Sequence, residues 1–129
     1  MTTSTQTDTL ATLPALGAEL EGGTFAGLTT RKDGTHCAVI LLPEKAEDLT
    51  WKKAVAWATK QGGELPTRLV AALLFANVKD KLTPAWHWTS DEFDASYAWD
   101  CGFNHGSQHG YRKSYEGGSV AVRLIPLTA

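Results

Sequence analysis

The C-terminal third of the chain, from Pro84 to Pro126, constrains the fold most strongly, because none of it has helical periodicity. Short aromatic stretches alternate there with turns that are rich in glycine and polar side chains. Successive residues of a strand point to opposite faces of a sheet, and glycines mark turns and bulges. The pattern therefore predicts an antiparallel sheet with strands at about residues 86–90, 97–103, 110–115 and 120–125.

The turns of this predicted sheet are crowded with Asn, His, Gln, Ser, Tyr and Asp. Side chains of these types make adaptable contacts in binding loops. The polar surface is larger than folding alone requires. We therefore interpret the region first as a binding surface and only second as an active site.

The segment from Gly23 to Leu42 predicts a β-hairpin. Two strand-like stretches, 24–30 and 35–42, flank an Asp-Gly pair at residues 33–34, which is a strong hairpin signal. The continuous apolar run from Val39 to Leu42 is typical of a strand that is covered on both faces. We expect Pro43 to end this strand.

Two helices are predicted between the hairpin and the C-terminal sheet. The first opens near Trp51, with Asp48 or Thr50 as its N-cap, and stops at the Gly-Gly pair of residues 62–63. Its apolar stripe, at helical spacing, consists of Trp51, Ala54, Val55 and Ala58. The second runs from Arg68 to about Val78 behind a Thr67 N-cap. Its expected core residues are Leu69, Val70, Leu73 and Leu74 or Phe75.

The order hairpin, helix, helix, sheet predicts an α+β domain with two helices packed on one side of a mainly antiparallel sheet that has long C-terminal loops. The domain is expected to span residues 23–126. Residues 1–22 are rich in Thr and have little to bury, so we expect a flexible arm, with an assembly or docking segment as the alternative.

Composition excludes several classes of protein. The formal charge is −2 and the pI is about 6.0, whereas a sheet that binds phosphate backbones is normally basic, so no nucleic-acid partner is expected. No apolar run reaches membrane-spanning length, and no secretory signal is recognisable. We therefore expect cytoplasmic synthesis, with association with a virion left open. Cys37 and Cys101 are expected to be reduced, partly buried thiols, with a single bridge as the alternative.

A set of motifs resembles a known family. In chain order they are Trp51 at a helix start, Gly62-Gly-Glu-Leu-Pro-Thr-Arg68, Trp86-His-Trp-Thr-Ser90, Tyr97-Ala-Trp99 and Val122-Arg123. Over residues 23–126 the chain resembles the C-terminal-domain family of bacterial collagen-like adhesins, which includes small bacterial and prophage proteins. The resemblance implies a C-type-lectin-like fold, related distantly to formylglycine-generating enzymes and to phage receptor-binding proteins that retroelements diversify.

The resemblance implies ligand binding by the sheet and loops between Trp86 and Arg123. The sequence lacks the Glu-Pro-Asn, Gln-Pro-Asp and Trp-Asn-Asp triplets of calcium-dependent sugar lectins, and Cys37 and Cys101 do not match the close cysteine pair of the copper-dependent oxidases. We therefore expect no calcium, no other metal or cofactor, and no enzymatic activity.

The expected ligand-binding residues are polar or aromatic side chains of this C-terminal region. They are Asp91, Glu92, Asp94, Tyr97, Asp100, Asn104, His105, Gln108, His109, Tyr111 and Tyr115. Tyr97, Tyr111 and Tyr115 are expected as exposed aromatic anchors. The acidic side chains at 91, 92 and 94 have simple solvation as their alternative role. Trp51, Trp99, Trp86 and Trp88 are expected in the core, with a sugar-stacking platform as the alternative for the last two.

The favoured function is a non-enzymatic module of phage or prophage origin that binds a protein or glycan, with diversification by a retroelement as a narrower version. A homo-oligomer is left open, and no membrane partner is expected. One alternative is an intracellular phage effector that binds a host protein. The other is a metal-dependent enzyme built around Asp100, His105 and His109, with His87 or His36 as a further metal ligand.

Overall fold

The computed structural model describes residues 8–9 and 12–128, and within them it contains two α-helices and one mixed sheet. The α+β class predicted from the sequence is thus compatible with the structure. The elements in chain order are β1 (Asp8–Thr9), β2 (Glu19–Leu20), β3 (Gly23–Thr30), β4 (His36–Leu49), α1 (Trp51–Lys60), α2 (Arg68–Val78), β5 (Trp86–Glu92), β6 (Tyr97–Gly102), β7 (Gln108–Arg112) and β8 (Gly117–Thr128). Neither helix is long and apolar enough to cross a membrane.

Strand β8 occupies the middle of the sheet, whose strands follow the order β2-β3-β4-β8-β5-β6-β7. It runs antiparallel to β4, from Cys37 opposite Pro126 to Leu49 opposite Gly117. Its first residues lie parallel to β5, and its last residues lie parallel to β1. One strand therefore joins the N-terminal hairpin to the three-stranded β5–β7 unit, of which β7 is the outer edge.

The helices lie on opposite faces of the sheet, so the prediction that both pack on one side was wrong. Val39 and Leu41 of β4 belong to the apolar cluster that contains the buried residues of α2. Ala38 and Ile40, which point the other way, belong to the cluster that contains Ala54 and Ala58 of α1. Residues 37–42 of β4 are apolar at every position and need cover on both faces, and each helix covers one face.

Two residues predicted for the core are exposed. Leu69 is 77% exposed and Val55 is 38% exposed. The buried stripe of α2 consists of Val70 and Leu74, as predicted, together with Ala71 and Val78, and Leu69 lies outside it. The buried stripe of α1 is only Ala54 and Ala58, with Trp51 and Trp57 packed at its margin.

The prediction that strand β4 ends at Pro43 was wrong, because the strand continues to Leu49. Its ladder with β8 is interrupted between Leu41 and Lys45 and then resumes. Proline has no amide hydrogen, so an irregular stretch of a ladder is where a strand tolerates it. In the C-terminal sheet, the third strand lies at residues 108–112, before the predicted position, because residues 113–116 form the turn into β8.

Part of the predicted arm is attached to the sheet. Glu19 and Leu20 pair with β3, and Leu13 and Leu20 pack against the apolar cluster beneath α1. The folded region therefore begins before the predicted boundary at residue 23. Residues 1–7 and 10–11 of the predicted arm lie outside the described residues.

The loop between the helices ties both of them to the sheet. Gly62 has a φ of 84°, which lets α1 end there as predicted. Glu64 and Val122 exchange two backbone hydrogen bonds, of 2.9 and 2.8 Å. The Pro66 carbonyl accepts a bond of 2.9 Å from the Ser90 amide. The Thr67 side chain accepts a bond from the Val70 amide and caps α2, as predicted.

Two indoles, of the buried Trp88 and the half-buried Trp51, attach β5 to the junction between β4 and α1. The Trp88 indole donates a hydrogen bond of 2.8 Å to the Leu49 carbonyl. The Trp51 indole donates one of 2.8 Å to the Thr89 carbonyl. Because both indole N–H groups are hydrogen-bonded, the large rings pack against the core without leaving a polar group unpaired.

Replacing Gly63 with alanine is expected to destabilise the protein by about 1–3 kcal/mol. A Cβ at this position would lie 2.4 Å from the Val122 carbonyl oxygen, which belongs to the central strand and cannot move freely. Gly110→Ala is the control, because the nearest atom to its Cβ would be a Phe93 ring carbon at 3.8 Å. Urea unfolding of both variants measures the difference. Equal midpoints for the two variants would contradict the close approach.

Candidate functional site

The outer face of β6 and β7 carries the most unusual surface of the described chain. The register pairs Tyr97 with Arg112, Trp99 with Gly110 and Cys101 with Gln108, so these side chains share one face. Helix α2 covers the Cys101 end of that face, which lies in its apolar cluster. The remainder is not covered by a helix, and we name it the Trp99 face. It consists of Arg68, Phe93, Tyr97, Trp99, Gln108 and Arg112.

Arg68, the first residue of α2, is held flat against Trp99. The central carbon of its guanidinium lies 3.6 Å from the ring centroid. Its Nε donates to Gln108 Oε1 at 3.0 Å, and Gln108 Nε2 donates back to the Arg68 carbonyl at 2.8 Å. A cation stacked on an indole and bonded through its Nε has a defined orientation.

Aromatic rings occupy the other half of the Trp99 face. Phe93, in the turn between β5 and β6, is 59% exposed. Its ring meets Trp99 edge to face at a centroid distance of 5.4 Å and Tyr97 at 6.5 Å. The Arg112 guanidinium lies 5.5 Å from the Tyr97 ring centroid. Gly110, opposite Trp99, adds no side chain, so the Phe93 ring lies over this part of the strand.

An open cleft of about 670 Å³ lies between the Trp99 face and the first turn of α2. Its walls include Arg68, Leu69, Asp91, Glu92, Trp99 and Gln108. Leu69 also borders a second cleft of about 510 Å³, which is lined on its far side by Thr30 and Lys32 of the N-terminal hairpin. The exposed Leu69 therefore forms a ridge between two clefts.

The carboxylates of the predicted acidic loop are engaged within the protein. Asp91 Oδ2 accepts a hydrogen bond of 2.7 Å from the Arg68 amide. Glu92 forms an ion pair of 2.5 Å with Lys113. Asp94 Oδ1 accepts bonds of 2.8 Å from the amides of residues 96 and 97, which closes the turn. These three side chains order the loop.

Loop 103–107, at the other end of β6, presents two further candidates. Asn104 and His105 are both exposed. Asn104 Oδ1 accepts a hydrogen bond of 2.9 Å from the His105 amide. Gly106, with a φ of 81°, packs so close to Phe75 of α2 that an added Cβ would lie 2.8 Å from that ring. The loop is therefore anchored to α2, while its polar residues face outward.

The remaining candidate residues lie on the opposite face of β6 and β7. Tyr111 is half-buried and meets Trp86 at a centroid distance of 4.6 Å. Tyr97 is half-buried as well, so the prediction of exposed rings was wrong for both residues. Tyr115 is 51% exposed, with its ring 6.0 Å from that of Tyr111. His109 is exposed on this side. The single predicted surface is thus divided between two faces of one sheet.

Asp100 is 1% exposed and is not available to a ligand at the surface. Its Oδ1 accepts a hydrogen bond of 2.8 Å from the His109 amide. Burial raises the pKa of this carboxyl, and the His109 amide opposes that rise. We therefore interpret Asp100 as a structural residue and omit it from the candidate surface.

The histidines and cysteines are dispersed. Within the described residues, no group of three or more His, Cys, Asp or Glu side chains is arranged to hold a metal ion. His87 is buried, with Nδ1 2.8 Å from the Ala85 carbonyl oxygen, and burial lowers its pKa. His36 bonds the Thr30 hydroxyl instead. Cys37 and Cys101 are free and buried, as predicted, and burial raises the pKa of the Cys101 thiol.

Sequence reasoning missed four members of the Trp99 face. Phe93 stands among acidic and small residues, where an isolated aromatic was the available signal. Trp99 was expected in the core because it alternates with Cys101, but it is half-buried beneath Arg68. Arg68 stood out only as part of the motif that opens α2, and neither Arg68 nor Arg112 was expected at the binding surface, because their positions there depend on contacts between distant segments.

No family model matches the chain, and a comparison with curated proteins gives no significant match. The geometry of the Trp99 face is therefore the main observation that bears on function.

The change in unfolding free energy that Asp100→Asn causes is expected to be more positive at pH 7 than at pH 3.5. The raised pKa means that the folded protein favours the neutral carboxyl, so the stability contribution of Asp100 is full at low pH and is lost as the pH rises through the folded pKa. Asparagine is neutral throughout and can still accept the His109 N–H. Urea unfolding of both proteins at each pH gives the difference. If the difference in unfolding free energy does not change with pH, the Asp100 carboxyl does not have a raised pKa in the folded protein.

Proposed function

We propose that the chain is a non-enzymatic ligand-binding module that presents the Trp99 face and its adjoining turns to a protein or glycan partner. The observation that carries the proposal is the exposure of Phe93 beside a stacked Arg68–Trp99 pair. The exposed part of the Phe93 ring gives no folding benefit, whereas aromatic and arginine side chains are the residues that most often dominate binding energy.

Preorganisation supports the proposal. Tyr97, Trp99 and Gln108 lie on two paired strands, and Arg68 is fixed by contacts with two of them. Side chains that are already ordered lose little conformational entropy when a partner binds. The adjacent turns supply polar groups at the rim, which is the usual arrangement of an interface.

The C-type-lectin-like fold remains part of the proposal. The order hairpin, helix, helix, sheet agrees with what the resemblance implies. Ligand binding by the later strands and loops would then be the ordinary use of the fold.

Phage or prophage origin, with diversification by a retroelement, is the narrower proposal. It predicts that sequences of the encoding locus from several isolates differ mainly in the exposed turns at residues 93–96, 104–107 and 113–116. Trp88, Asp100 and Cys101 should not vary, because each is buried. A reverse-transcriptase gene beside the locus and changes at adenine positions would support diversification. Substitutions spread evenly along the chain would exclude diversification, but they would not contradict the proposal that the chain is a binding module.

The binding proposal itself is tested by alanine substitution on the Trp99 face. The wild-type protein, immobilised, is used to capture partners from intact host cells, from host lysate and from a glycan array. Phe93→Ala and Tyr97→Ala are then expected to weaken binding about 30-fold or more, which corresponds to about 2 kcal/mol. Capture from lysate alone would favour the intracellular effector.

Val55→Ala is the matched control, because Val55 is an exposed apolar residue of α1, on the other side of the sheet. It should bind like the wild type. Melting temperatures of all three variants should stay within a few degrees of the wild type. Full binding by Phe93→Ala and Tyr97→Ala would refute the Trp99 face as the binding surface.

A further inference from the structure

We propose that the cleft beside Arg68 binds the carboxylate of an acidic side chain in a protein partner, with apolar side chains on either side of that residue packing against Leu69 and Phe93. This inference rests on the proposed function, and it names the chemistry that the binding site recognises.

Arg68 has the geometry of a carboxylate receptor. Its Nε donates a hydrogen bond to Gln108, and one side of its guanidinium group lies against the Trp99 ring. Within the described part of the chain, its two terminal nitrogens have no hydrogen-bond acceptor and no ion-pair partner. A planar guanidinium with a free pair of donors matches a carboxylate in a bidentate arrangement. Because the side chain is already fixed, little entropy is lost on binding.

The carboxylates near the cleft leave the terminal nitrogens of Arg68 free, although the whole chain carries a formal charge of −2. The carboxylates of Asp91, Glu92 and Asp94 are bonded to the Arg68 amide, to Lys113 and to their own turn. Among the described residues, Arg112 and Lys32 form no ion pair. Asp91 and Asp94, in the same described part of the chain, likewise form no ion pair and keep their charge. The attraction for an acidic group therefore comes from the free donors of Arg68 and not from an excess of positive charge on this side of the molecule.

The flanking surface favours a peptide over an acidic sugar. Leu69 and Phe93 are the large exposed apolar side chains next to the cleft, and they suit apolar side chains of a peptide. A sugar ring usually stacks on an open aromatic face, but the Arg68 guanidinium covers one face of Trp99 and the Phe93 ring meets the indole edge to face. A protein segment with an acidic residue between apolar neighbours is the better fit.

The test is an NMR titration of the isotopically labelled full chain. The probes are the blocked tripeptide acetyl-Leu-Glu-Leu-amide, its isosteric partner acetyl-Leu-Gln-Leu-amide, and glucuronate as an acidic sugar. The signals followed are the Arg68 Nε–H and the Trp99 indole N–H. We expect saturable shifts of both signals with the glutamate peptide, with a dissociation constant on the order of millimolar. The glutamine peptide and glucuronate should bind at least about ten-fold more weakly.

Two variants separate a shaped carboxylate site from general attraction. Arg68→Lys keeps the positive charge but loses the planar donor pair, and it should weaken binding of the glutamate peptide about ten-fold. Lys52→Gln removes a charge from the exposed surface of α1 and should leave binding unchanged. Amide spectra of each variant confirm that it is folded.

Several results would overturn the inference. They are equal affinity for the glutamate and glutamine peptides, full binding by Arg68→Lys, shifts that do not saturate, and tighter binding of glucuronate than of the glutamate peptide. None of these results decides the proposed function, which is tested separately by the effects of Phe93→Ala and Tyr97→Ala on a captured partner. Failure of those variants to weaken binding would instead remove the surface on which this site lies.

Discussion

The pairing of β4 with β8 is the interaction on which the rest of the structure depends. Residues 38–42 of β4 and 120–122 of β8 are apolar on both faces, so each face must be covered, and α1 and α2 provide the two covers. This strand pair contributes to both apolar clusters, and burial of apolar surface is the main favourable contribution to folding. The helices and β5 are held against this central pair, and the position of every functional residue follows from it.

The loop at residues 61–67 connects the central sheet to the Trp99 face. Its backbone hydrogen bonds to Val122 in β8 and to Ser90 in β5 fix the position of Arg68, the first residue of α2. Gly63 permits this approach because it has no side chain. The motif that gave the family resemblance is thus explained by packing, and its last residue is the one that reaches the candidate site.

The sequence predicted local structure well and distant relationships less well. The hairpin, the Thr67 cap, the Gly62 stop and the strands that follow Trp86 were readable, because each depends on neighbouring residues. The division of the candidate residues between two faces was not readable, because it depends on the register of β6 with β7. Arg68 and Trp99 are about thirty positions apart in the printed sequence, and no local pattern indicates that they stack.

The central place of β8 also has a kinetic consequence. The N-terminal hairpin is synthesised early, yet its strand β4 stays without a partner on one side until residues 117–128 arrive. Contacts between segments so distant in the chain form slowly, and an apolar strand that waits for its partner is exposed to association with other chains in the meantime. The rate-limiting event in folding should therefore be insertion of β8, and the yield of native protein should depend on how well β4 is shielded during that delay.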